Sequence, residues 1–400
     1  MILPLSDSPN PRGTPFVTYA LLVANIAIYA LITLPLGAQP ADPADPLLGE
    51  YVRVISRALP DTVHARELLR QTSAYDLFVF RHGFRPADPS VATLFSAMFL
   101  HGGFLHLFGN MLILWIYGDN VEHRFGRVAY LVAYLGTGIT ATLFHEILAP
   151  GSPFPMIGAS GAISGVLGFY FVWFPRNQVR LLVFLFPFLM NVVEVPARLV
   201  LGLYLVLDNL LPMLLARGAE GGGVAHAAHI GGFIAGLAVA WIMDRRTVSG
   251  RPAEFAEREI PAEASHSPGA SVQRELAHGR IEAAARVYFA LSPQATRGVL
   301  PAADLLALAD GLRERGHAQA ALVAYRRLLR DYPRDAATAD AHMGAGLVQM
   351  EAFGQVTSAY QHFLDALEAD PSPATATRAR AAIAAIESSQ KFQVGRRRRA

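Results

Sequence analysis

Long apolar segments fill most of the first 245 residues of this 400-residue chain, and they limit its fold more than any other feature. A helix needs about 20 consecutive, mostly apolar residues to cross a bilayer. Six stretches meet or approach that length: residues 16–36, 105–117, 128–148, 158–174, 197–215 and 225–243. The sequence therefore predicts an all-α fold class, a polytopic membrane bundle of six transmembrane helices followed by a soluble α-helical repeat domain.

Two apolar segments need separate interpretation. Residues 179–190 are too short to cross a membrane, and we interpret them as an interfacial or re-entrant piece. Residues 16–36 could alternatively be a signal peptide, because Leu36-Gly37-Ala38 has the small residues of an acceptable cleavage site. Their apolar stretch is longer than the apolar h-region of a signal peptide, which has about 7–15 residues, so we interpret them as a membrane anchor.

The composition excludes several classes of protein. Hydrophobic residues make up 52% and charged residues 16%, against about 25% charged residues in ordinary soluble domains. The mean hydropathy of +0.31 fits a membrane protein. The absence of Cys excludes a thiol nucleophile, a disulfide framework and a Cys-ligated metal. The net charge of +2 is too small to indicate a nucleic-acid partner.

Arginines mark one end of alternate spans. Pairs of Arg follow the second, fourth and sixth spans, at positions 124 and 127, 176 and 180, and 245 and 246. Positive residues concentrate on the cytoplasmic side of membrane proteins. The pattern predicts an integral, multi-pass protein with both termini in the cytoplasm, and we expect it in a bacterial inner or plasma membrane.

The composition changes after the last span. We expect a membrane domain over residues 1–246, a flexible linker over 247–270, a helical repeat domain over 271–390 and a basic tail over 391–400. The repeat carries a Gly, a small residue five positions later and an aromatic residue nine positions later: Gly279, Ala284 and Tyr288; Gly316, Ala321 and Tyr325; Gly354, Ala359 and Phe363. It resembles tetratricopeptide repeats, and a generic array of helical hairpins is the alternative. In either case we expect a surface that binds a protein or peptide partner, while the basic tail could contact anionic lipid.

Polar residues inside spans are costly, so they indicate function by default. The second span holds His106 and Asn110 after His101 at its entrance, the fourth begins with Ser160, and the sixth contains His229. Spans two, four and six run in the same direction, and each carries its polar group within its first turns. These side chains are therefore expected at one depth, near the extracytoplasmic face, which indicates a single site.

The residue types at this level suit nucleophilic catalysis. A Ser hydroxyl becomes a nucleophile when a base takes its proton, and His is the usual base near neutral pH. No acidic residue lies near this level in spans four or six, so a dyad of Ser160 and His229 is the economical hypothesis. His106 and Asn110 lie four residues apart on one helical face and are candidates to stabilise an oxyanion.

Small residues provide the space that such a site needs. Gly158 and Gly161 flank the candidate nucleophile and allow a substrate backbone to approach. Gly232 and Gly236 form a Gly-x-x-x-Gly stripe, which permits close helix packing in a membrane. Packing of small residues without any catalysis is the alternative for each motif taken alone.

A metal site is a second alternative for the histidines at this level, namely His101, His106, His226 and His229. The zinc-protease pattern His-Glu-x-x-His is absent, because Ala149 stands where the second His would follow His145. We therefore expect no metal and no cofactor.

Three motifs in order carry a resemblance to a known family. The segments HGGFLHLFGN (101–110), GASGAISG (158–165) and AHIGG-x-x-x-G (228–236) resemble the rhomboid family of intramembrane serine proteases, over about residues 15–245. The resemblance implies cleavage of transmembrane protein substrates near the extracytoplasmic membrane face. It also implies Ser160 as nucleophile, His229 as base, and an oxyanion site made by His106, Asn110 and the main-chain N–H of Ser160.

Other positions match or depart from the family pattern. Glu122, Arg124 and Gly126 match its second-loop motif, and we interpret Glu122 and Arg124 as a structural loop pair. The first outer loop has no Trp-Arg pair, and Ser164 stands where some bacterial members have an aromatic residue that stacks on the base. The group that orients His229 is therefore not identified by the sequence.

Two other functions compete with the protease hypothesis. A catalytically silent, rhomboid-shaped protein would bind or escort membrane clients, but the chain retains both Ser160 and His229. A small transporter would use the polar residues as a pathway and would depend on His229 but not on Ser160.

The arginine pattern makes a testable prediction about orientation. A reporter fused after residue 250 should report a cytoplasmic location, because an even number of spans precedes it and each cytoplasmic exit carries Arg. A reporter placed after residue 40 serves as the control and should lie outside. An extracytoplasmic signal after residue 250 would mean that the span count is wrong.

Overall fold

The computed structural model describes residues 2–58, 65–185, 189–215, 226–255, 268–292 and 294–397. The chain divides into two compact units, one of Met1–Asp7 and Gly13–Ala240, and one of Ser8–Arg12 and Trp241–Ala400. The predicted linker and basic tail lie partly outside the described residues, since 256–267 and 398–400 are not among them. The predicted domain boundaries stay predictions.

The first unit is a bundle of apolar helices, as the predicted fold class requires. Among the described residues, four helices are long and apolar enough to cross a membrane: Phe16–Gly37, Arg127–Leu148, Ala197–Leu215 and His226–Arg246. A bent pair, Val91–Phe99 and Phe104–Phe125, meets at 90° and provides a further candidate span, and Ser160–Trp173 is a shorter apolar helix. These segments coincide with the six stretches that the sequence predicts, and the helical fold class is confirmed.

The helices and strands of this unit have the following bounds. In chain order they are β1 (Ile2–Ser8), α1 (Phe16–Ile28), α2 (Leu34–Gly37), α3 (Leu48–Ala58), α4 (Ala65–Gln71), α5 (Ala74–His82), α6 (Val91–Ser96), α7 (Phe104–Phe125), α8 (Arg127–Leu148), α9 (Ser160–Trp173), β2 (Gln178–Leu185), β3 (Leu189–Pro196), α10 (Ala197–Leu203), α11 (Leu211–Leu215) and α12 (His226–Ser249). Turns of π-helix join α1 to α2 at Tyr29–Thr33, and α10 to α11 at Tyr204–Leu210.

Two β-strands contain the described part of residues 179–190, where the sequence indicates an interfacial or re-entrant piece. Strands β2 and β3 pair antiparallel, from Gln178 opposite Pro196 to Leu185 opposite Leu189, and β1 joins them in a three-stranded sheet. Unpaired sheet edges are not accommodated in hydrocarbon, so this sheet belongs outside the bilayer core. The small sheet is an addition to the predicted helical bundle.

The N-terminal segment ties the helices that carry the site. Asn120 on α7 donates a hydrogen bond of 2.8 Å to Oδ2 of Asp7, and the hydroxyl of Tyr170 on α9 donates to the same carboxylate. Burial raises the pKa of Asp7 to about 7. On α7, Glu122 accepts hydrogen bonds of 3.0 and 2.8 Å from the main-chain N–H groups of Val17 and Thr18 at the start of α1. These contacts fix the positions of α1, α7 and α9 relative to one another.

The second unit is an array of helical hairpins. After a short 3₁₀ turn at Ala253–Phe255, its helices are α13 (Pro268–Ala277), α14 (Ile281–Ala290), α15 (Ala302–Glu314), α16 (Ala318–Asp331), α17 (Thr338–Glu351), α18 (Val356–Glu368) and α19 (Pro373–Arg397). Gly279, Gly316 and Gly354 lie at the turns inside the first three hairpins, each with a φ between +63° and +82°. The repeated Ala and aromatic positions are buried in the core. The hairpin array is observed, and its assignment to tetratricopeptide repeats stays a prediction.

The packing of Phe255 leads to a testable prediction about the stability of this unit. Its side chain is 6% exposed, and its ring lies 5.6 Å from the ring of Phe289, measured between centroids. A fragment of residues 250–397 should be soluble, helical and cooperative in thermal unfolding followed by circular dichroism. Phe255→Ala in that fragment should lower the free energy of unfolding by about 3–5 kcal/mol, since it leaves a cavity.

The control for this experiment is Phe353→Ala. Phe353 is 38% exposed, so its truncation should change the stability much less. Equal effects of the two substitutions, or a random-coil spectrum of the parent fragment, would contradict the packing described for this unit.

Candidate active site

The loop before α9 fixes the position of Ser160. Gly158 has a φ of +126°, and a Cβ atom there would lie 2.8 Å from Nε2 of His106. Both the backbone conformation and the lack of space therefore require Gly at this position. Ser160 follows as the first residue of α9, where main-chain N–H groups have no partner inside the helix.

Glycines bring α9 and α12 into direct backbone contact. A Cβ atom on Gly232 would lie 2.1 Å from the carbonyl oxygen of Gly161, and one on Gly236 would lie 2.2 Å from that of Gly165. A Cβ atom on Gly161 would meet Ala141 of α8 at 2.8 Å. The two helices could not approach this closely with any larger residue at these positions.

The close approach places Ser160 and His229 in hydrogen-bond contact. Nε2 of His229 lies 2.7 Å from Oγ of Ser160. The distance is that of a hydrogen bond, and a neutral imidazole can accept the hydroxyl proton at the nitrogen that carries no hydrogen. The structure thus brings together the two residues that the sequence selects as nucleophile and base.

Asn209 contacts the other nitrogen of the same imidazole. Its Oδ1 lies 2.6 Å from Nδ1 of His229, and its side chain is buried in the π-helical turn between α10 and α11. The sequence hypothesis does not include this residue, because it draws on the polar groups of spans two, four and six alone. A buried amide within the apolar stretch 197–215 was the signal that could have found it.

His106 and Asn110 lie on the other side of the nucleophile, on α7. The main-chain N–H of Gly102 donates to Nδ1 of His106 at 3.4 Å, so Nε2 of the neutral ring carries its proton, on the side of Gly158. Nδ2 of Asn110 is buried and has no hydrogen-bond partner among the described residues. Both side chains line the same open cavity of about 1550 Å³ as Ser160 and His229.

Other residues selected from the sequence have local structural contacts. The hydroxyl of Ser164 lies 3.1 Å from that of Tyr204 rather than against the His229 ring. Glu122 and Arg124 lie in the last turns of α7 rather than in a loop. Glu122 binds the start of α1, and the guanidinium of Arg124 lies 4.6 Å from the ring centroid of Trp173.

The histidines weighed as metal ligands do not converge on one point. The rings of His101 and His106 lie 5.1 Å apart, and those of His226 and His229 lie 6.5 Å apart, between centroids. Within the described ranges, no three of these four side chains form a group with ligand atoms close enough for one ion.

Comparisons with known proteins agree with this geometry. Residues 88–246 match the family model described as Rhomboid domain. A segment of 75 residues, 19% of this chain, is 43% identical to 14% of the Rhomboid protease GluP of Bacillus subtilis. A second, of 160 residues and 39% of this chain, is 29% identical to 43% of Rhomboid protein 1, mitochondrial, of Saccharomyces cerevisiae. A third, of 87 residues and 22% of this chain, is 32% identical to 43% of the Putative rhomboid protease YdcA of Bacillus subtilis.

The matched segments span less than half the length of each of these relatives. They support the rhomboid family for this chain, and with it an intramembrane protease at the level of the family. Together with the apolar helices, they support an integral, multi-pass membrane protein.

The glycine contact makes a testable prediction about stability. Gly232→Ala should lower the free energy of unfolding by about 1–3 kcal/mol or more, because the new methyl group would force α12 away from the backbone of α9. Thermal unfolding of the purified protein in detergent micelles measures the effect.

Gly136→Ala is the matched control, because its Cβ atom would have no heavy atom of another described element within 4 Å. This substitution should be neutral or slightly stabilising, since Ala favours helix over Gly. A Gly232→Ala protein as stable as the Gly136→Ala protein would contradict the backbone contact.

Proposed function

We propose that this chain is an intramembrane serine endopeptidase that cleaves transmembrane protein substrates near the extracytoplasmic membrane face with a Ser-His dyad. The observation that carries the proposal is the 2.7 Å contact between Oγ of Ser160 and Nε2 of His229. A Ser hydroxyl paired with a neutral imidazole is the arrangement that nucleophilic catalysis requires.

The first chemical step is acyl transfer to the enzyme. Nε2 of His229 takes the proton of Ser160 as Oγ attacks the carbonyl carbon of the scissile peptide bond. The imidazolium then returns the proton to the leaving amine, and the C–N bond breaks. The product is an ester between Ser160 and the N-terminal part of the substrate, with a free amine on the other part.

Hydrolysis of the ester completes the cycle. His229 takes a proton from water, whose oxygen attacks the ester carbonyl, and the proton returns to Oγ of Ser160 as the ester bond breaks. The open cavity beside the dyad gives water and an extended substrate segment a route to Ser160.

Each attack places negative charge on the carbonyl oxygen, and three donors are available for it. They are Nδ2 of Asn110, Nε2 of His106 and the main-chain N–H of Ser160 at the start of α9. Support for Asn110 comes from its buried amide, which has no partner within the described part of the chain. A donor held in a water-poor site stabilises developing charge without reorganising.

The proposal includes the placement of the chain and its further partners. Both termini lie in the cytoplasm of a bacterial inner or plasma membrane, and the site opens towards the opposite face. The helical hairpins bind a protein or peptide partner on the cytoplasmic side. Neither role needs a cofactor.

The central prediction is that Ser160 and His229 act as one unit. Ser160→Ala and His229→Ala should each abolish cleavage of a membrane-embedded reporter, and the double variant should be little worse than either, because an unassisted hydroxyl is a poor nucleophile. A serine-reactive fluorophosphonate should label the parent protein but not Ser160→Ala.

His226→Ala is the control for the base, and it should retain most activity. Cleavage by Ser160→Ala, or loss of activity in His226→Ala with activity retained in His229→Ala, would contradict the dyad. A folded parent protein that neither cleaves nor becomes labelled would favour the silent, client-binding alternative.

A separate prediction concerns the oxyanion donor. Asn110→Ala should lower kcat by about 10²–10³-fold, as loss of one donor does in other serine proteases. The KM for the reporter should change little, because the donor acts on charge that is absent from the bound substrate. Unchanged kcat in a folded Asn110→Ala protein would remove Asn110 from the mechanism.

A further inference from the structure

A Ser-His pair works only when the imidazole presents the correct nitrogen. The base must have a lone pair on the nitrogen that faces the hydroxyl, and its proton on the other nitrogen. A neutral histidine with no second partner populates both tautomers, and one of them cannot accept the proton of Ser160. The atom that contacts Nδ1 of His229 therefore decides whether the ring serves as a base.

The contacts of Asn209 determine which of its amide atoms faces the ring. Its Nδ2 donates a hydrogen bond of 3.1 Å to the main-chain oxygen of Tyr204. Its Oδ1 then faces Nδ1 of His229 at 2.6 Å. A carbonyl oxygen accepts and does not donate, so Nδ1 carries the proton and the Nε2 lone pair faces Ser160.

The π-helical turn places the amide where it is needed. In Tyr204–Leu210 the turn is wider than in an α-helix, and the Asn209 side chain reaches back to the carbonyl five residues earlier. The hydroxyl of Tyr204 contacts that of Ser164, one turn after Ser160 on α9. The contacts thus run from Ser160 through His229, Asn209 and Tyr204 back to α9.

The neighbouring acid does not compete for this role. Asp208 is exposed, whereas Asn209 is 1% exposed. A charged carboxylate inside a membrane helix costs at least about 2.5–3.5 kcal/mol, and a neutral amide avoids much of that cost. Among the described residues, the hydrogen-bond partner recorded for Nδ1 of His229 is Oδ1 of Asn209.

We propose that Asn209 is the positioning residue of this site, which holds His229 in the tautomer with its proton on Nδ1 and turns its Nε2 towards Ser160. The proposal rests on the proposed protease function. Asn209 does not touch the substrate; it acts through the orientation of His229.

The kinetic test compares two substitutions at the same position. Asn209→Leu, similar in volume but without the acceptor, should lower kcat by about 10²–10⁴-fold with little change in KM. The variant loses the fixed tautomer, the fixed orientation of the ring and the stabilisation of the imidazolium, and the upper end is the loss caused by a wrong tautomer in another serine protease. Asn209→Asp keeps an oxygen acceptor at this position, so its kcat should be at least about a tenth of the parent value.

Asn25→Leu provides the matched control. Asn25 is another buried amide in a span, and its Nδ2 donates to a carbonyl of its own helix, that of Leu21. This variant should keep the parent kcat. A kcat of Asn209→Leu equal to that of the parent would overturn the proposal.

The tautomer of His229 can also be measured directly, so that the positioning role is tested even if the protein has no activity. Nitrogen-15 spectra of the full chain with labelled histidine, in detergent micelles, should show a His229 signal with the proton on Nδ1, assigned by its loss in His229→Ala. Asn209→Leu should convert this signal to a mixture of tautomers, in a protein whose thermal unfolding shows that it is folded.

The outcomes separate the two proposals. A parent protein without cleavage but with the Nδ1-protonated signal dependent on Asn209 would overturn the protease function and support the positioning role. A parent protein that cleaves and has its His229 proton on Nε2 would overturn the positioning role alone.

A second, independent cluster lies in the helical-hairpin unit. Nδ1 of His342 on α17 lies 3.0 Å from Nδ1 of His362 on α18, and 3.7 Å from Oδ2 of Asp365. One donor atom from each residue lies within 4.8 Å of the other two. Zinc–nitrogen bonds of about 2.0–2.1 Å at tetrahedral angles put neighbouring ligand atoms roughly 3.3 Å apart. The distances of 3.0 and 3.7 Å from Nδ1 of His342 are close to that value.

The surrounding helices hold the three side chains on one seam. His362 and Asp365 are three residues apart and share a face of α18, which packs against α17. The neighbours Met343 and Phe363 are buried, so both backbones are fixed by the core. Two imidazoles and one carboxylate suit Zn²⁺, and the chain has no thiolate to compete for it.

We infer that His342, His362 and Asp365 form a Zn²⁺ site, with water or a side chain of a bound partner as the fourth ligand. The test is a Zn²⁺ titration of the full chain, purified without a histidine tag and stripped with chelator, against a chromophoric indicator. His342→Ala and His362→Ala should each lose one equivalent of bound Zn²⁺ relative to the parent.

His278→Ala is the control, because its Nδ1 is hydrogen-bonded to the carbonyl of Arg274 in its own helix. It should keep the parent stoichiometry. Circular dichroism verifies that each variant is folded. The same stoichiometry in the parent and in both His variants would overturn the site and leave His342 and His362 as a hydrogen-bonded pair.

Discussion

The contact between the backbones of α9 and α12 is the interaction on which the site depends. A Ser hydroxyl extends only one bond beyond Cβ, so an imidazole can reach it only if the two helices almost touch. In a membrane no hydrophobic force drives helices together, and close packing of small residues takes its place. The backbone contacts of Gly161 with Gly232 and of Gly165 with Gly236 therefore determine how closely Ser160 and His229 can approach, whatever rotamers their side chains adopt.

Much of this arrangement could be predicted from the sequence, because hydropathy and the spacing of small and polar residues are local properties. They predict the spans, the common level of His106, Ser160 and His229, and the Gly-x-x-x-Gly stripe. Asn209 could not be placed in the same way. A π-helical turn departs from the 3.6-residue period, so helical spacing does not indicate which side of residues 197–215 faces the site.

Contacts between segments that are distant in the chain also could not be predicted from the sequence. The apolar residues 179–185 and 189–190 carry no clear alternation. They belong to a sheet because β2 pairs with β3 and β1 pairs with β2 from the far end of the unit. Glu122 matches a family motif, yet nothing in its surroundings indicates that it binds the first turn of α1. In both cases the partner is defined by the fold and not by neighbouring residues.

Nδ2 of Asn110, which has no hydrogen-bond partner in the part of the chain that the structure describes, has a consequence for how far such a protein can be stabilised. A buried donor without an acceptor lowers the stability of the resting fold by about 1–3 kcal/mol. An apolar side chain of similar size would remove that penalty and also remove the group available to a developing oxyanion. Catalytic activity and thermal stability thus favour different residues at this position. Engineering for thermal stability alone would select an apolar residue and remove the oxyanion donor.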